Sequence, residues 1–207
     1  MTVLPSETPD EELWNFAVWI YGREGVREAC LSLQKSRDID VPLFLSCIWA
    51  SRVNSAAFTA EVLADVLEIS IKWQRNVVKP LRSVRDHLKN ITDSSPATMA
   101  MRQSVLAEEL KAEQFEITEL QGALSGGVSL ELDEALQIGT AADNISQYLA
   151  ALPPSIPITE KELKNVRWIL GAAFSEGAEL PEWLSSIPAF TLRVAPKYLF
   201  LGPATDQ

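Results

Sequence analysis

The side chains best suited to chemistry are cations and carboxylates on two neighbouring stretches. The first stretch carries the cations Lys72, Arg75, Lys79, Arg82, Arg85 and Lys89. The second carries the acids Glu108, Glu109, Glu113, Glu116 and Glu119. Guanidinium groups bind carboxylates and phosphates through paired N–H donors, so the cations could hold an anion. The alternative is that the two stretches are antiparallel helices with complementary charge.

A turn near residue 93 would place three of the cations level with acids. The resulting pairs are Lys72 with Glu116, Arg75 with Glu113, and Lys79 with Glu108 or Glu109. Exposed ion pairs contribute only about 0–1 kcal/mol each. These pairs would therefore specify which helices associate more than they would stabilise the fold.

The other cations in this stretch have no acid level with them. Arg82, Arg85 and Lys89, together with His87, come opposite residues 99–102, which carry no carboxylate. We therefore predict that an anionic small ligand or an acidic partner segment binds at Arg82, Arg85, Lys89 and His87.

Metal and nucleophile chemistry find little support in the residue types. Glu109, Glu113 and Glu116 share a helix face, but we expect a solvated stripe. A helical di-metal site uses Glu-x-x-His on two helices. The chain has one histidine, His87, and the residue three positions before it is Val84. We predict no metal, no cofactor and no catalytic residue.

The elements that position these side chains are two long helices. Apolar residues at steps of three and four predict a helix over about residues 59–91, with this seam: Val62, Val66, Ile69, Trp73, Val77, Leu81, Val84, Leu88 and Ile91. Pro80 lies inside it and predicts a kink or a break. A second helix over 96–124 carries Leu106, Leu110, Ile117, Leu120 and Leu124 on one face.

The N-terminal residues predict three shorter helices. Residues 43–49 are apolar nearly all round, so this third helix should be central, and Asp40 is its expected N-cap. Cys30 and Cys47 lie on apolar helix faces, where we expect buried, reduced thiols. Trp14 and Trp19 lie off the main apolar stripe of the first helix, which makes them candidate anchors for a protein partner.

Residues 10–120 resemble a family of short, uncharacterised bacterial proteins that is defined only by a domain of unknown function. The resemblance rests on Leu13-Trp14-x-Phe16-Ala17, Gly25-Val26 followed by Ala29-Cys30-Leu31-x-Leu33-Gln34, Asp40-Val41-x-Leu43-Phe44-Leu45, and Trp73 with Val77-Val78-x-Pro80-Leu81-Arg82. It implies no established activity, so it assigns no functional residue.

These observations predict an all-α fold, a bundle of about six or seven helices around a long antiparallel helical hairpin. We expect an N-terminal helical module over residues 1–125. A helical extension over 126–207 would pack on that module as one compact domain.

Composition narrows the class of function. A formal net charge of −10 disfavours binding to nucleic acid and to anionic membranes. No apolar run approaches the ~20 residues of a membrane span, and the acidic N-terminal residues are unlike a signal peptide, so we expect a cytoplasmic protein. The leading hypothesis is a non-enzymatic partner-binding protein, such as an adaptor, assembly factor or regulator. The alternative is a helical carrier or enzyme with an apolar pocket for an acyl or prenyl anion.

Overall fold

The computed structural model describes residues 12–53, 57–91, 95–125, 133–152 and 157–174. Its elements are α1 (Leu13–Tyr21), α2 (Val26–Arg37), α3 (Val41–Val53), α4 (Ala60–Trp73), a π-helical turn (Gln74–Val78), α5 (Lys79–Lys89), α6 (Pro96–Leu124), α7 (Glu134–Ala151) and α8 (Glu160–Ala173). Because α4, the π turn and α5 follow one another without a break, they form one rod. With this rod counted as one helix, the described residues contain seven helices and no strand. This confirms the all-α bundle.

Helix α3 is the centre of the bundle. Every residue from Pro42 to Ser51 is buried, as the sequence predicts for a helix that is apolar on all sides. It packs against α7, α6 and α1. The Asp40 carboxyl group lies within reach of the Leu43 amide, as expected for a residue at the start of α3.

The long rod and α6 form the predicted antiparallel pair, but in a different register. Lys72 binds Glu119 at 3.1 Å rather than Glu116. Arg75 is exposed and does not bind Glu113, whose carboxylate binds Arg82 at 2.8 Å. Lys79 also differs from the prediction, since it binds Asp38 of the α2–α3 connection rather than a glutamate of α6.

The buried side of the long rod overlaps the predicted seam at Val66 but otherwise differs from it. Leu63, Val66, Ser70, Gln74 and Val78 are buried, whereas most of the predicted seam is half-buried, and Val84 and Ile91 are exposed. The seam was inferred from apolar residues alone. The structure instead places two polar side chains, Ser70 and Gln74, in the core.

The π turn explains both the four-residue spacing of the buried side chains and the way in which the helix continues through Pro80. From Val66 to Arg82 the inward side chains follow at four-residue steps, which in an α-helix would drift about 160° around the axis. In the π turn the Lys79 amide bonds the Gln74 carbonyl, five residues back, which widens the turn and takes up part of this drift. Pro80 has no amide to continue the α-helical pattern there. The predicted disturbance at Pro80 therefore takes the form of a π turn, with helix continuing on both sides.

Two helices beyond residue 125 are bound to the N-terminal helices. Helix α7 packs on α3, and α8 packs on α2. A capping box formed by Thr159 and Glu162 begins α8. Glu162 also binds Arg37 at 3.0 Å and accepts a hydrogen bond from Ser36 at 2.8 Å, so the cap of α8 is tied to α2.

Both cysteines are buried, and neither forms a disulfide, as the sequence predicts. Burial raises the pKa of the Cys30 thiol to about 12, which favours the protonated form. The thiol of Cys47 donates to the Leu43 carbonyl within α3. Both side chains thus behave as small core residues.

Gly25, between α1 and α2, tests the packing of α8. Its φ is +74°, and an added Cβ would lie 2.5 Å from Nε1 of Trp168. Because backbone strain and this clash add, we expect Gly25→Ala to lower the free energy of unfolding by about 2 kcal/mol. Gly122→Ala is the control, since its Cβ meets nothing within 4 Å. It should stabilise α6 by about 0.5–1 kcal/mol. Urea unfolding measures both, and equal effects would contradict the close packing at Gly25.

Glu162 tests the link between α8 and α2. Burial alone would raise the pKa of this carboxyl, but hydrogen bonds from the Thr159 amide and from Arg37 and Ser36 lower it to about 2. The folded state therefore prefers the ionised form. We expect its contribution to stability to be complete above pH 4.5 and to disappear as the pH falls through about 2. Glu162→Gln should lower the thermal midpoint at pH 7, and should do so less as the solution is acidified.

Candidate functional site

The core contains a cluster of polar side chains from four elements. The Gln74 amide nitrogen lies 3.1 Å from Oδ1 of Asp40 and 2.8 Å from Oε2 of Glu116. All three side chains are buried. The backbone amide of Asp40 donates to the Tyr148 hydroxyl at 2.7 Å, which brings α7 into the cluster. We call Asp40 and Glu116 the carboxyl pair.

The two members of the carboxyl pair lie within hydrogen-bonding reach of each other. Burial and the proximity of Asp40 raise the pKa of Glu116 to about 10. Burial also raises the pKa of Asp40, although hydrogen bonds to its carboxylate oppose the shift. Burial and the proximity of the two carboxyl groups therefore both favour a protonated form of the pair.

A second set of charges joins the carboxyl pair to the protein surface. Arg82 binds Glu109 and Glu113 at 2.8 Å each. Arg85 Nη1 lies 2.9 Å from Oε2 of Glu109, close enough for an ion pair but not aligned for a hydrogen bond. The Glu109 side chain is only 3 % exposed. We call Arg82, Arg85, Glu109 and Glu113 the charge network.

The charge network corrects two expectations. Arg82 and Arg85 were expected to lack an acidic partner, but both bind glutamates of α6, because the register of the hairpin differs. The expected solvated stripe is also wrong, since Glu109 and Glu116 are buried and Glu113 is half-buried.

The other predicted anion-binding residues, His87 and Lys89, are exposed on α5. Lys89 lies one turn beyond Arg85. His87 is two residues from each of these, which is about 200° around an α-helix. The structure therefore does not bring His87 together with the three cations. That any of these residues binds an anion remains a prediction.

Helix α5 and the first half of α6 form what we call the hairpin arm, residues 79–91 and 95–110. Helix α5 has no buried residue and packs extensively on α6 alone among the described helices. Large apolar side chains of the arm are exposed: Val84, Ile91, Met99, Met101, Leu106 and Leu110. The arm is therefore a two-helix structure that presents apolar surface to solvent.

On α6 this apolar surface continues a stripe of the core. Leu110, Ile117 and Leu124 recur at seven-residue steps and so lie on one side of the helix. Ile117 and Leu124 are buried in the bundle, whereas Leu110 is 50 % exposed. The predicted apolar face of α6 is thus correct for its second half and is left uncovered in its first half.

Trp168 is more exposed than the two tryptophans that are predicted to anchor a partner. Trp14 and Trp19 are half-buried against the core. Arg23 stacks on the Trp19 ring at 4.7 Å, and Arg52 lies 5.8 Å from it. Trp168 of α8 is the more exposed ring, at 52 %, although its indole N–H donates to the Glu24 carbonyl. A partner contact at Trp14 or Trp19 stays a prediction.

A groove between α4 and α6 has a volume of about 350 Å³ and is open to solvent. Asp65, Glu68, Lys72 and Glu119 line it together with Ile69 and Ala123, so it is an open groove of mixed polarity rather than an enclosed apolar pocket. Within the described ranges, no group of three His, Cys, Asp or Glu side chains is arranged to hold a metal ion. No helix in these ranges is long and apolar enough to cross a membrane.

Sequence reasoning missed the carboxyl pair because acidic residues are rarely buried without a partner. One signal was available. Ser70, Gln74 and Val78 follow Val66 at four-residue steps, next to a proline. A line of small or neutral polar residues at that spacing is compatible with a buried polar side of the helix.

Comparison with known proteins identifies one family. A family described as a protein of unknown function (DUF2390) matches residues 12–120, which includes α1 to α5 and most of α6. No curated protein and no solved structure matches the chain.

The charge network predicts that Arg82 is structural. Arg82→Ala would leave Glu113 without its cation and Glu109 with only the misaligned Arg85. Because removing one partner of a buried ion pair strands the other, we expect a loss of about 3 kcal/mol in the free energy of unfolding. Lys89→Ala, on the same helix but exposed, should change stability by less than about 0.5 kcal/mol. Chemical denaturation of both variants tests this, and an unchanged Arg82→Ala would show that the network adds no stability.

Proposed function

We propose that this chain, which belongs to the DUF2390 family of proteins of unknown function, binds another protein through its hairpin arm and catalyses no reaction itself. The observation that carries the proposal is the apolar stripe of α6, which continues from the core onto an uncovered part of the arm. Exposed apolar patches of this kind are common at protein-binding surfaces. The role corresponds to an adaptor, assembly factor or regulator.

The shape of the arm favours a helical partner segment. Leu106 and Leu110 on α6, with Val84 on α5, are exposed on adjacent helices. Two antiparallel helices leave a groove between them, into which the apolar side of a third helix can pack. The exposed part of the stripe, from Met99 to Leu110, would accommodate about three turns of such a helix.

The charges of the arm favour acidic residues at the edges of that segment. Lys89 and Arg102 are exposed and have no ion-pair partner among the described residues. The acids near them already bind cations, since Asp86 binds Arg85 and Glu108 binds Lys111. A second copy of the arm would bring the same cations together, so charge favours a different protein.

The alternative, a pocket for an acyl or prenyl anion beside Arg82 and Arg85, has less support. Both guanidinium groups bind carboxylates, and an anion would have to displace Glu109 or Glu113. Displacement would leave a buried glutamate unpaired, which costs several kcal/mol. We therefore do not propose this function.

Site-specific photo-crosslinking tests the proposal in native extract. A photoreactive residue is placed at Leu106 on the arm or, as a control, at Leu136 on α7, which is 56 % exposed. We expect a discrete crosslinked protein from position 106 alone, and mass spectrometry should locate the link in an acidic amphipathic helix. Equal products from both positions, or none from position 106, would contradict a binding arm.

Charge reversal tests whether charged contacts contribute to partner binding in addition to apolar contacts. With the crosslinker at position 106, Lys89→Glu and Arg102→Glu together should weaken capture about fivefold, because each exposed pair contributes at most about 1 kcal/mol. Glu108→Lys, which adds positive charge to the arm, should not weaken it. If the charge variants have no effect but Leu110→Asp abolishes capture, the partner binds through apolar contacts alone.

A further inference from the structure

We propose that the carboxyl pair is a proton-binding site, in which one proton shared by Asp40 and Glu116 completes the hydrogen bonding of the core at the base of the hairpin arm. This site is independent of where a partner binds. It would make the packing of the long rod on α3 and α6 depend on pH.

The inference rests on two carboxyl oxygens of the pair that lack a hydrogen-bond donor. Gln74 supplies its two amide hydrogens to Oδ1 of Asp40 and Oε2 of Glu116. The other oxygens, Oδ2 of Asp40 and Oε1 of Glu116, are buried without a hydrogen-bond partner. Buried polar atoms are rarely left unpaired, because desolvation without a hydrogen bond is costly. One proton between the two carboxyl groups would satisfy both oxygens.

The surroundings decide which group holds the proton. Asp40 lies within reach of the Leu43 amide, the Ser70 hydroxyl and the positive charge of Arg82. Glu116 has one donor, Gln74, and lies near the negative charge of Glu113. Asp40 is therefore the better carboxylate and Glu116 the better acid, so the proton is bonded to Glu116 and donated to Asp40.

No other nearby group supplies a compensating charge to Glu116. The titratable neighbours are Cys47 on α3, Tyr148 on α7 and Glu113 on α6, each neutral or negative at pH 7, and Arg82 on α5, which is bound to Glu109 and Glu113. A second negative charge in the pair would thus be unopposed. Loss of the proton would place two carboxylates beside Gln74, the first residue of the π turn.

The effect on stability has a definite sign. In the unfolded chain both carboxyl groups are ionised above about pH 5. The folded protein would retain one proton, so folding takes up a proton over the pH range between the two states. The unfolding equilibrium constant should therefore increase by up to tenfold per pH unit as the pH rises above 5.

The variant Glu116→Gln provides the test, because a glutamine amide can donate to Asp40 and its oxygen can accept from Gln74. Urea unfolding of the full chain is measured from pH 5 to pH 9 for the wild type, for Glu116→Gln and for Glu119→Gln. Glu119 is on the same helix, 40 % exposed and bound to Lys72 at the surface. We expect Glu116→Gln to remove most of the tenfold-per-unit dependence and Glu119→Gln to retain it.

Infrared spectroscopy of the wild type gives a second readout that needs no variant to fold. A protonated carboxyl group has a carbonyl stretch distinct from that of a carboxylate, and this stretch should be present in the wild type at pH 8. Its absence in the wild type at pH 8 would overturn the proposal. Identical pH profiles for the wild type and Glu116→Gln would do the same. So would a wild-type stability that depends on sodium or magnesium concentration instead of pH, since a cation would then occupy the place of the proton.

Discussion

The burial of carboxyl groups on α6 is the constraint on which the rest of the structure depends. Glu109 and Glu116 are almost entirely inaccessible to solvent. A buried charge without a partner costs several kcal/mol, so each group requires a donor from a neighbouring helix. Arg82 and Arg85 form ion pairs with Glu109, and Gln74 donates a hydrogen bond to Glu116. These contacts fix how far the long rod can slide along α6, which apolar contacts alone would leave less well defined.

The π turn follows from the same constraint. Gln74 must point at the carboxyl pair while Arg82, eight residues later, must point at Glu109. Eight residues of ideal α-helix cover about 800°, which is 80° more than two full turns. The π turn between the two residues reduces this excess, so both can face α6. Pro80 lowers the free-energy cost of the π turn, because proline cannot donate an α-helical hydrogen bond at that position in any case.

Much of the fold could be predicted from the sequence, because local chemistry determines it. Caps such as Thr159 and the all-apolar run of α3 each depend on a few adjacent residues. The register of the hairpin could not be predicted in this way. Matching opposite charges across a turn assumes that all of them are exposed, and α6 contradicts that assumption at Glu109 and Glu116. Once two of the acids belong to the core, the exposed pairs differ from the predicted ones, as the contact of Lys72 with Glu119 rather than Glu116 shows.

The candidate site was harder to predict, because periodicity does not reveal where a bundle ends. Leu110 and Ile117 occupy equivalent positions on one apolar stripe, yet one is half exposed and the other is 5 % exposed. The difference lies in the neighbours: α1, α3 and α4 pack on α6 and on other helices of the bundle, whereas α5 packs extensively on α6 alone among the described helices. The charge network lies at this boundary. Arg82 and Arg85 on α5 form ion pairs with Glu109. Glu109 is therefore not an unpaired buried charge at the point where α6 extends out of the core. Beyond that point the described part of the hairpin consists of α5 and the first half of α6, and its large apolar side chains are exposed.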